Sequence, residues 1–197
     1  MSGPGRVSGR TGGGPEREEC RRLLEIHAVP PHIRRHSEQV ARVTLRLGSA
    51  LGAAGSQLDL GRLEAAALLH DIAKADCLGG RQDHAREGGA RLRALGYPDV
   101  AALVERHVDL GAWEPAGEVT EAEVLNYADK RVRHEEVVTL EERFRDLLER
   151  YGKDRPAARA RIRENWRIMK EIEAKLFARL PFGPDALCAE GEDGSAA

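Results

Sequence analysis

The sequence has little of what marks secreted, membrane or zinc-ribbon proteins. Its three cysteines, Cys20, Cys77 and Cys188, are scattered and include no CxxC pair, so neither a disulfide framework nor a zinc ribbon is indicated. The longest apolar run, Ala65 to Leu69, is far too short to cross a bilayer. Because the N-terminus also lacks the apolar segment of a signal peptide, we expect a cytoplasmic protein.

The chain also lacks an excess of charge of either sign and is poor in aromatic residues. Its 31 Lys and Arg residues nearly balance 33 Asp and Glu residues, giving a net charge of −2. This balance indicates no nucleic-acid or membrane surface, and we expect neither partner. Aromatic residues make up 4% and hydrophobic residues 41% of the 197 residues, so the core must consist of Leu, Val, Ile and Ala. This length fits one domain.

Composition divides the chain into a central domain and two tails. Residues 1–15 contain six glycines and are predicted to be a flexible leader. Residues 181–197 are small and acidic and are predicted to be a flexible tail. Between them, residues 16–180 show apolar spacing of helical period and no convincing strand alternation. We therefore predict an all-α, single-domain helical bundle of about six to eight helices.

Breakers and caps set the predicted helix limits. Pro31 suits a helix start, and Asp59 can cap the central apolar helix that follows it. Thr120 and Glu123 have the spacing of a capping box, and the helix they begin is predicted to continue to about residue 151. The predicted helices cover about 16–28, 31–52, 60–70, 83–95, 98–108, 121–151 and 155–179, with a break at Gly79 and Gly80 and a stop at Pro181.

Four of the seven histidines lie where a helix should place a core residue. They are His36, His70, His84 and His107, on four separate predicted helices. A single imidazole on an apolar face is usually a hydrogen-bonded core residue. Burying four of them costs about 1–3 kcal/mol each unless something satisfies their polar atoms. A shared metal ion would do so.

Two carboxylates and a lysine complete this constellation. Asp71 follows His70 at the end of a buried helix, where an unpaired carboxylate is unfavourable. Asp129 has two alternatives, a metal or a salt bridge with Arg133 four residues later. Lys74 is either an ordinary lysine at a helix end or a cation that binds a phosphate beside the metal.

The order of these residues resembles the HD superfamily of phosphohydrolases. The resemblance covers about residues 30–150 and rests on the whole series of motifs rather than on the His-Asp doublet alone. It is carried by the segments HSEQV, LLHDIAK, DHAREGGA, ERHVDLG and NYADKRV.

The resemblance implies a metal site and a helical bundle of the HD-domain type. The family's defining ligands correspond to His36, His70, Asp71 and Asp129, and the subgroup with two metals would add His84 and His107. The motifs are most similar to bacterial symmetrical diadenosine tetraphosphatases and to small HDIG-type hydrolases. The Gly96-Tyr97-Pro98 tripeptide precedes a single histidine rather than an adjacent pair, so the cyclic-dinucleotide phosphodiesterase branch is not indicated.

The implied activity is hydrolysis of a small phosphate substrate, with a nucleotide expected. Mixed imidazole and carboxylate ligands suit one or two divalent ions of Fe, Mn, Co, Ni or Zn, and Asp71 is the natural bridge between two. His70, Asp71 and Lys74 are the predicted catalytic residues. Lys74, Arg131, Arg133 and Trp113 are candidate substrate contacts, with surface salt bridges the favoured alternative for Arg131 and Arg133, and loop packing an equal one for Trp113.

Other functions remain open at this point. A nucleotide-binding regulatory protein of the same fold would bind metal without turnover. A diiron oxygenase would use similar ligands for oxygen chemistry, and a helical interaction domain would need no metal at all. The sequence also leaves the oligomeric state open, with a homodimer one alternative.

Overall fold

The chain folds into a bundle of helices with one short hairpin. The computed structural model describes residues 14–77 and 83–189, and the predicted break at Gly79 and Gly80 lies outside them. None of the helices in these ranges combines the length and apolar character needed to span a bilayer. The helices are α1 (Arg17–Ile26), α2 (Pro31–Ala53), α3 (Leu60–Leu69), α4 (His84–Ala94), α5 (Pro98–Glu105), α6 (Glu121–Lys130), α7 (Leu140–Tyr151), α8 (Pro156–Phe177) and α9 (Ala186–Ala189), with strands β1 (Val132–Arg133) and β2 (Glu136–Val137).

The predicted helix starts are confirmed. Pro31 occupies the first turn of α2, where its missing N–H leaves no intrahelical bond unmade. The Asp59 carboxylate caps α3 by accepting from the Arg62 N–H. Thr120 and Glu123 form both hydrogen bonds of a capping box at the start of α6. The all-α class is therefore confirmed, with nine helices in the described ranges.

The core lies where α2, α3 and α6 meet. α3 is apolar nearly all round and packs against α1, α2, α5 and α6, as a central helix should. α4 packs against α5. A Cβ at Gly88 would lie 3.3 Å from Val104 Cγ1 and 3.4 Å from Ile72 Cγ2. The lack of a side chain at Gly88 therefore lets α4 approach α5 and the end of α3.

The prediction of one helix from Thr120 to about Tyr151 is wrong. α6 ends at Lys130, and β1 and β2 follow as an antiparallel hairpin that pairs Val132 with Val137 and Arg133 with Glu136. His134 in its turn adopts a φ of 57°. Thr139 and Glu142 then form a second capping box and begin α7. Two-residue strands are too short to show an alternation of apolar and polar residues, which is why the sequence did not indicate the hairpin.

The described part of the predicted acidic tail packs against the bundle. Leu187 on α9 is 3% exposed and belongs to the core. Arg131, at the end of α6, donates from Nη2 to Pro184 O at 3.0 Å and contacts Cys188 Sγ at 3.3 Å. The flexible-tail prediction therefore fails between residues 181 and 189, because apolar side chains and a buried arginine hold this segment.

Arg131 connects three parts of the fold. The side chain is fully buried, at 1% exposure. Its Nε donates to Val138 O after the hairpin at 2.6 Å, and its Nη1 donates to Tyr127 Oη at 2.5 Å. These bonds and those to the C-terminal segment occupy every nitrogen. Because Arg131 is buried, it fits neither the predicted contact with substrate nor the alternative, a salt bridge at the surface.

Replacing Arg131 with Met should lower the free energy of unfolding by about 3–5 kcal/mol, because buried acceptors lose their donor. Met retains much of the side-chain volume, so the loss is mainly polar. Urea unfolding followed by circular dichroism measures the change. Arg133→Met is the matched control, since Arg133 pairs at the surface with Glu136, and it should change stability by less than about 1 kcal/mol. Equal effects of the two substitutions would contradict the bridging role of Arg131.

Candidate metal centre

All six predicted ligands converge at one place in the bundle. They come from five separate parts of the chain, brought together by the packing of α2, α3, α4, α5 and α6. Only His84 has an appreciable exposed fraction, 26% of its side chain. The ligands are His36 on α2, His70 and Asp71 after α3, His84 at the start of α4, His107 just beyond α5, and Asp129 on α6.

One group of ligand atoms lies deep in the bundle. His36 Nε2 faces Asp129 Oδ1 at 3.1 Å. His70 Nε2 lies 3.4 Å from Asp71 Oδ2 and 3.7 Å from Asp129 Oδ1. One ligand atom each from His36, His70 and Asp71 lies within 4.8 Å of the other two. This spacing allows a single cation to contact all of them.

A second group shares Asp71 with the first. Asp71 Oδ1 lies 3.4 Å from His84 Nε2 and 3.7 Å from His107 Nε2. The two imidazole nitrogens are themselves 3.2 Å apart, and these three residues again satisfy the 4.8 Å spacing. Asp71 thus directs one carboxylate oxygen toward each group.

Backbone carbonyls orient three of the imidazoles. The Nδ1 atoms of His36, His70 and His107 lie 2.9, 2.7 and 2.6 Å from carbonyl oxygens. A carbonyl only accepts, so each Nδ1 must carry its proton and donate. The neutral rings then present the Nε2 lone pair to the centre, as metal ligation requires. The acceptors are the carbonyls of His134, Ala67 and Val104.

The donor atoms fit a divalent transition metal. His70 Nε2 and Asp71 Oδ1 are buried and have no hydrogen-bond partner among the described residues. Buried polar atoms are rarely left without a partner, and lone pairs that face one another in this way need a cation between them. Imidazole nitrogens with carboxylates suit Fe, Mn, Co, Ni or Zn, whereas Mg and Ca prefer oxygen ligands.

The two carboxyl groups are held in their charged forms. Burial alone raises the pKa of Asp71, but the charge of His70, the close approach of the His107 and His70 imidazoles and the charge of Lys74 outweigh it, so the pKa lies well below its usual range. For Asp129, burial is likewise outweighed, chiefly by the charge of Lys130, and its pKa is also well below its usual range. Both groups therefore remain anionic ligands near neutral pH.

Burial and nearby charges shift the pKa values of the histidines in different directions. It lowers the pKa of His84 to about 4, with the charge of Asp71 opposing it. It also lowers the pKa of His107. For His70, burial is outweighed by the charge of Asp71, and the pKa is raised. His84 and His107 are thus neutral near pH 7, whereas His70 retains a proton more readily without a metal.

Lys74 and His84 mark the open side of the centre. Lys74 Nζ lies 2.6 Å from Asp71 Oδ2, and the lysine side chain is 39% exposed. Residues 70–77 form successive turns rather than a continuation of α3, yet the predicted proximity of His70, Asp71 and Lys74 is retained. A ligand from solvent would therefore meet the Lys74 ammonium group beside the buried carboxylate.

Two supporting residues were missed by the sequence analysis. Lys130 Nζ lies 2.5 Å from Asp129 Oδ2 and 3.4 Å from His107 O, so Lys130 forms the ion pair with Asp129 for which Arg133 was the candidate in the alternative to metal binding. Asn126 Nδ2 donates to His107 O at 2.9 Å and so fixes the segment that carries this ligand. No spacing signal indicated either residue, because both act through a neighbour or a backbone oxygen.

Two other predicted substrate contacts have partners of their own. Arg133 pairs across the hairpin with Glu136 at 3.0 Å. The Trp113 ring lies 5.8 Å from Lys175 Nζ, and the same ammonium binds Glu123 at the start of α6 at 2.6 Å. Glu123, the residue that Lys175 contacts, precedes Asp129 by six residues and therefore lies about 9 Å from it along the helix. The structure thus places the Trp113 ring beside Lys175, a packing contact within the described residues, and its contact with substrate stays a prediction.

Comparison with known families agrees with this geometry. The family model described as HD domain matches residues 33–154, more than half of the chain. The chain belongs to the HD domain family. HD domains are generally metal-dependent phosphohydrolases, and all six candidate ligands lie within the matched segment. Comparisons with curated proteins and with solved structures gave no match, and similarity to diadenosine tetraphosphatases therefore stays a prediction.

Acid should destabilise the metal-free HD domain through His84. The unfolded histidine has a pKa of about 6.5, whereas that of folded His84 is about 4. Between these values the unfolded chain binds a proton that the folded chain does not, so stability falls as pH decreases. Replacing His84 with Gln should reduce this loss by on the order of 1–2 kcal/mol between pH 7 and pH 5.

Urea unfolding in a chelator at both pH values measures the difference between the variant and the wild type. His32→Gln is the control, because His32 is exposed on α2 and should leave the pH dependence unchanged. Parallel losses of stability in wild type and His84→Gln protein would show that His84 is not kept neutral by the fold.

Proposed function

We propose that this HD domain hydrolyses a nucleotide or a dinucleoside polyphosphate in a metal-dependent reaction. The supporting observation is the arrangement of Asp71, whose two oxygens face two separate groups of imidazoles while Lys74 stands at the open side. A hydrolase needs both a place for metal and an approach for substrate. This site offers the first in its buried ligands and the second beside Lys74.

The charge of the loaded centre favours a phosphate. Two divalent ions would contribute +4, and Asp71 and Asp129 contribute −2, leaving about +2 before any water ionises. Lys74 adds a further positive charge at the open side. An anionic phosphate is thus the ligand that this electrostatic environment attracts most strongly.

His36, His70, Asp71 and Asp129 would hold one ion, and Asp71, His84 and His107 the other. When bound, such ions lower the pKa of a coordinated water to about 7 and so make hydroxide available near neutral pH. In the hydrolysis, an oxygen from water forms a bond to phosphorus as the bond from phosphorus to the leaving group breaks. Lys74 is placed to donate to a phosphate oxygen as charge develops there.

This assignment is preferred over the oxygenase and the regulatory alternatives. A half-exposed lysine that contacts the shared carboxylate gives a phosphate a partner that oxygen chemistry does not need. A binding protein that has lost turnover would typically lack one or more ligands, whereas all six expected ligands are present in this centre. We further propose that the substrate is a free small molecule and that the protein binds neither nucleic acid nor a membrane.

Replacing His70 or Asp71 with Ala should lower bound metal and reduce turnover at least roughly a hundredfold, with helix content retained. Metal analysis of purified protein measures the first effect. A screen of nucleotides and dinucleoside polyphosphates, with Mn, Fe and Co supplied in turn, measures the second. Asp71→Ala should release more metal than His84→Ala, because only Asp71 belongs to both groups.

The matched control is His32→Ala, which removes an exposed histidine from the same bundle and should keep both metal and activity. Normal hydrolysis by His70→Ala protein would disprove the assignment. A metal-loaded wild type that is inert toward the whole panel would favour the regulatory alternative, and iron-dependent oxygen consumption with an organic substrate would favour the oxygenase.

A further inference from the structure

Helices α3 and α6 pack side by side and run in the same direction. At their starts, Arg62 on α3 binds Glu121 on α6, with Nε 2.5 Å from Oε2 and Nη2 2.6 Å from Oε1. At their ends, two ligands of the metal centre meet, since His70 Nε2 lies 3.7 Å from Asp129 Oδ1. The ion pair and the ligand contact therefore lie at opposite ends of one pair of parallel helices.

The same length of helix separates the ion pair from the ligands on both sides. Arg62 precedes His70 by eight residues, and Glu121 precedes Asp129 by eight residues. His70, the C-cap of α3, still has helical backbone angles, so each stretch rises by about 12 Å. Because the two rises are equal, aligning the helices at Arg62 and Glu121 also aligns their ligands.

The contacts of Glu121 are suited to fix this alignment. Its side chain is only 11% exposed, and the two parallel bonds from Arg62 define both distance and orientation. Glu121 Oε1 also accepts from the main-chain N–H of Asp59 at 2.8 Å. Asp59 is the capping residue of α3. Since a main-chain N–H cannot move with a side-chain rotamer, this bond holds the start of α3 itself against α6.

A metal centre built from both helices depends on their alignment. Distances from a metal to its ligands must be met to within about 0.2 Å. A shift of α3 along α6 by far less than one turn, about 5.4 Å, would thus take Asp129 out of reach of an ion bound to His70. Lys130 and Asn126 do not prevent such a shift, because both bind His107 O and so join α6 to the segment after α5.

We propose that Arg62 and Glu121 are positioning residues that set the register of α3 and α6 and so bring Asp129 to the ion held by His70. This inference rests on the metal binding contained in the proposed function, and it does not depend on the substrate. Arg62 and Glu121 contact neither metal nor substrate in this role, since each lies about 12 Å along its helix from the ligand.

The test is a titration of metal-free protein with Co²⁺, whose visible absorption spectrum reports the ligands and geometry around the bound ion. Arg62→Met should weaken Co²⁺ binding by about three- to thirtyfold and alter the spectrum, because Asp129 is no longer held in place. Glu121→Gln should act in the same direction, since an amide offers only one acceptor oxygen. Arg62→Lys retains the charge without the fork and should fall between Met and wild type.

A second variant separates positioning from a general loss of stability. If Arg62 acts through Asp129, adding Arg62→Met to Asp129→Ala protein should weaken Co²⁺ binding by less than about twofold. A loss of the same size with and without the Asp129 carboxylate would contradict the register role. If Asp129→Ala protein does not fold, the spectrum decides, because Arg62→Met protein that binds Co²⁺ with the wild-type spectrum has an unchanged ligand set.

Arg179→Met is the matched control. The Arg179 side chain is 35% exposed, against 33% for Arg62, and pairs with Glu118 at 2.9 Å. Arg179 follows α8, which carries none of the six candidate ligands, so this variant should keep wild-type affinity and spectrum. Arg62→Met protein that behaves like the control would overturn the register inference and leave the metal centre standing. Wild-type protein that binds no Co²⁺ or other divalent ion would disprove the proposed metal-dependent function, and this inference with it.

Discussion

The meeting of several hydrogen-bond acceptors inside a bundle of otherwise apolar helices is the constraint on which this structure depends. Asp71 has two carboxylate oxygens in the interior and too few protons near them, while His36, His70 and His107 point nitrogen lone pairs at the same place. An arrangement of this kind is unfavourable without a cation. The fold and the metal requirement are therefore linked, since helices that pack in this way bring these acceptors together.

The geometry of the centre is set largely by groups other than the ligands. Carbonyl oxygens at the ends of α3 and α5 and in the hairpin select the tautomer of each imidazole. Lys130 and Asn126 fix Asp129 and the backbone of His107. Such supporting contacts orient ligands and adjust their basicity. They also explain how ligand residues that are far apart in sequence are kept close together in space.

Periodicity and caps were sufficient to predict most of the helices, since an apolar stripe and a capping residue are local features. The ligand set could be predicted because four histidines on inward faces need a common explanation. The hairpin after α6 could not, because strands of two residues contain no period. Arg131 was misjudged for a related reason, since an arginine near many charged residues resembles a surface residue until its buried partners are known.

The C-terminal segment illustrates the same limit. Its small and acidic composition indicated disorder, but α9 places Leu187 in the core and Arg131 reaches Pro184 and Cys188. These contacts are long-range, and composition alone carries no information about them. Lys130 likewise replaced Arg133 beside Asp129, because α6 ends before the i+4 position that the pairing required.

The support that His36 receives from residue 134 comes from a main-chain oxygen rather than from the imidazole of His134. Any amino acid possesses that oxygen, so the identity of residue 134 can vary without loss of the support, provided that the turn keeps its left-handed φ of 57°. Gly, Asn and Asp tolerate this conformation, whereas β-branched residues do not. Evolutionary variation at this position should therefore follow backbone conformation rather than side-chain chemistry.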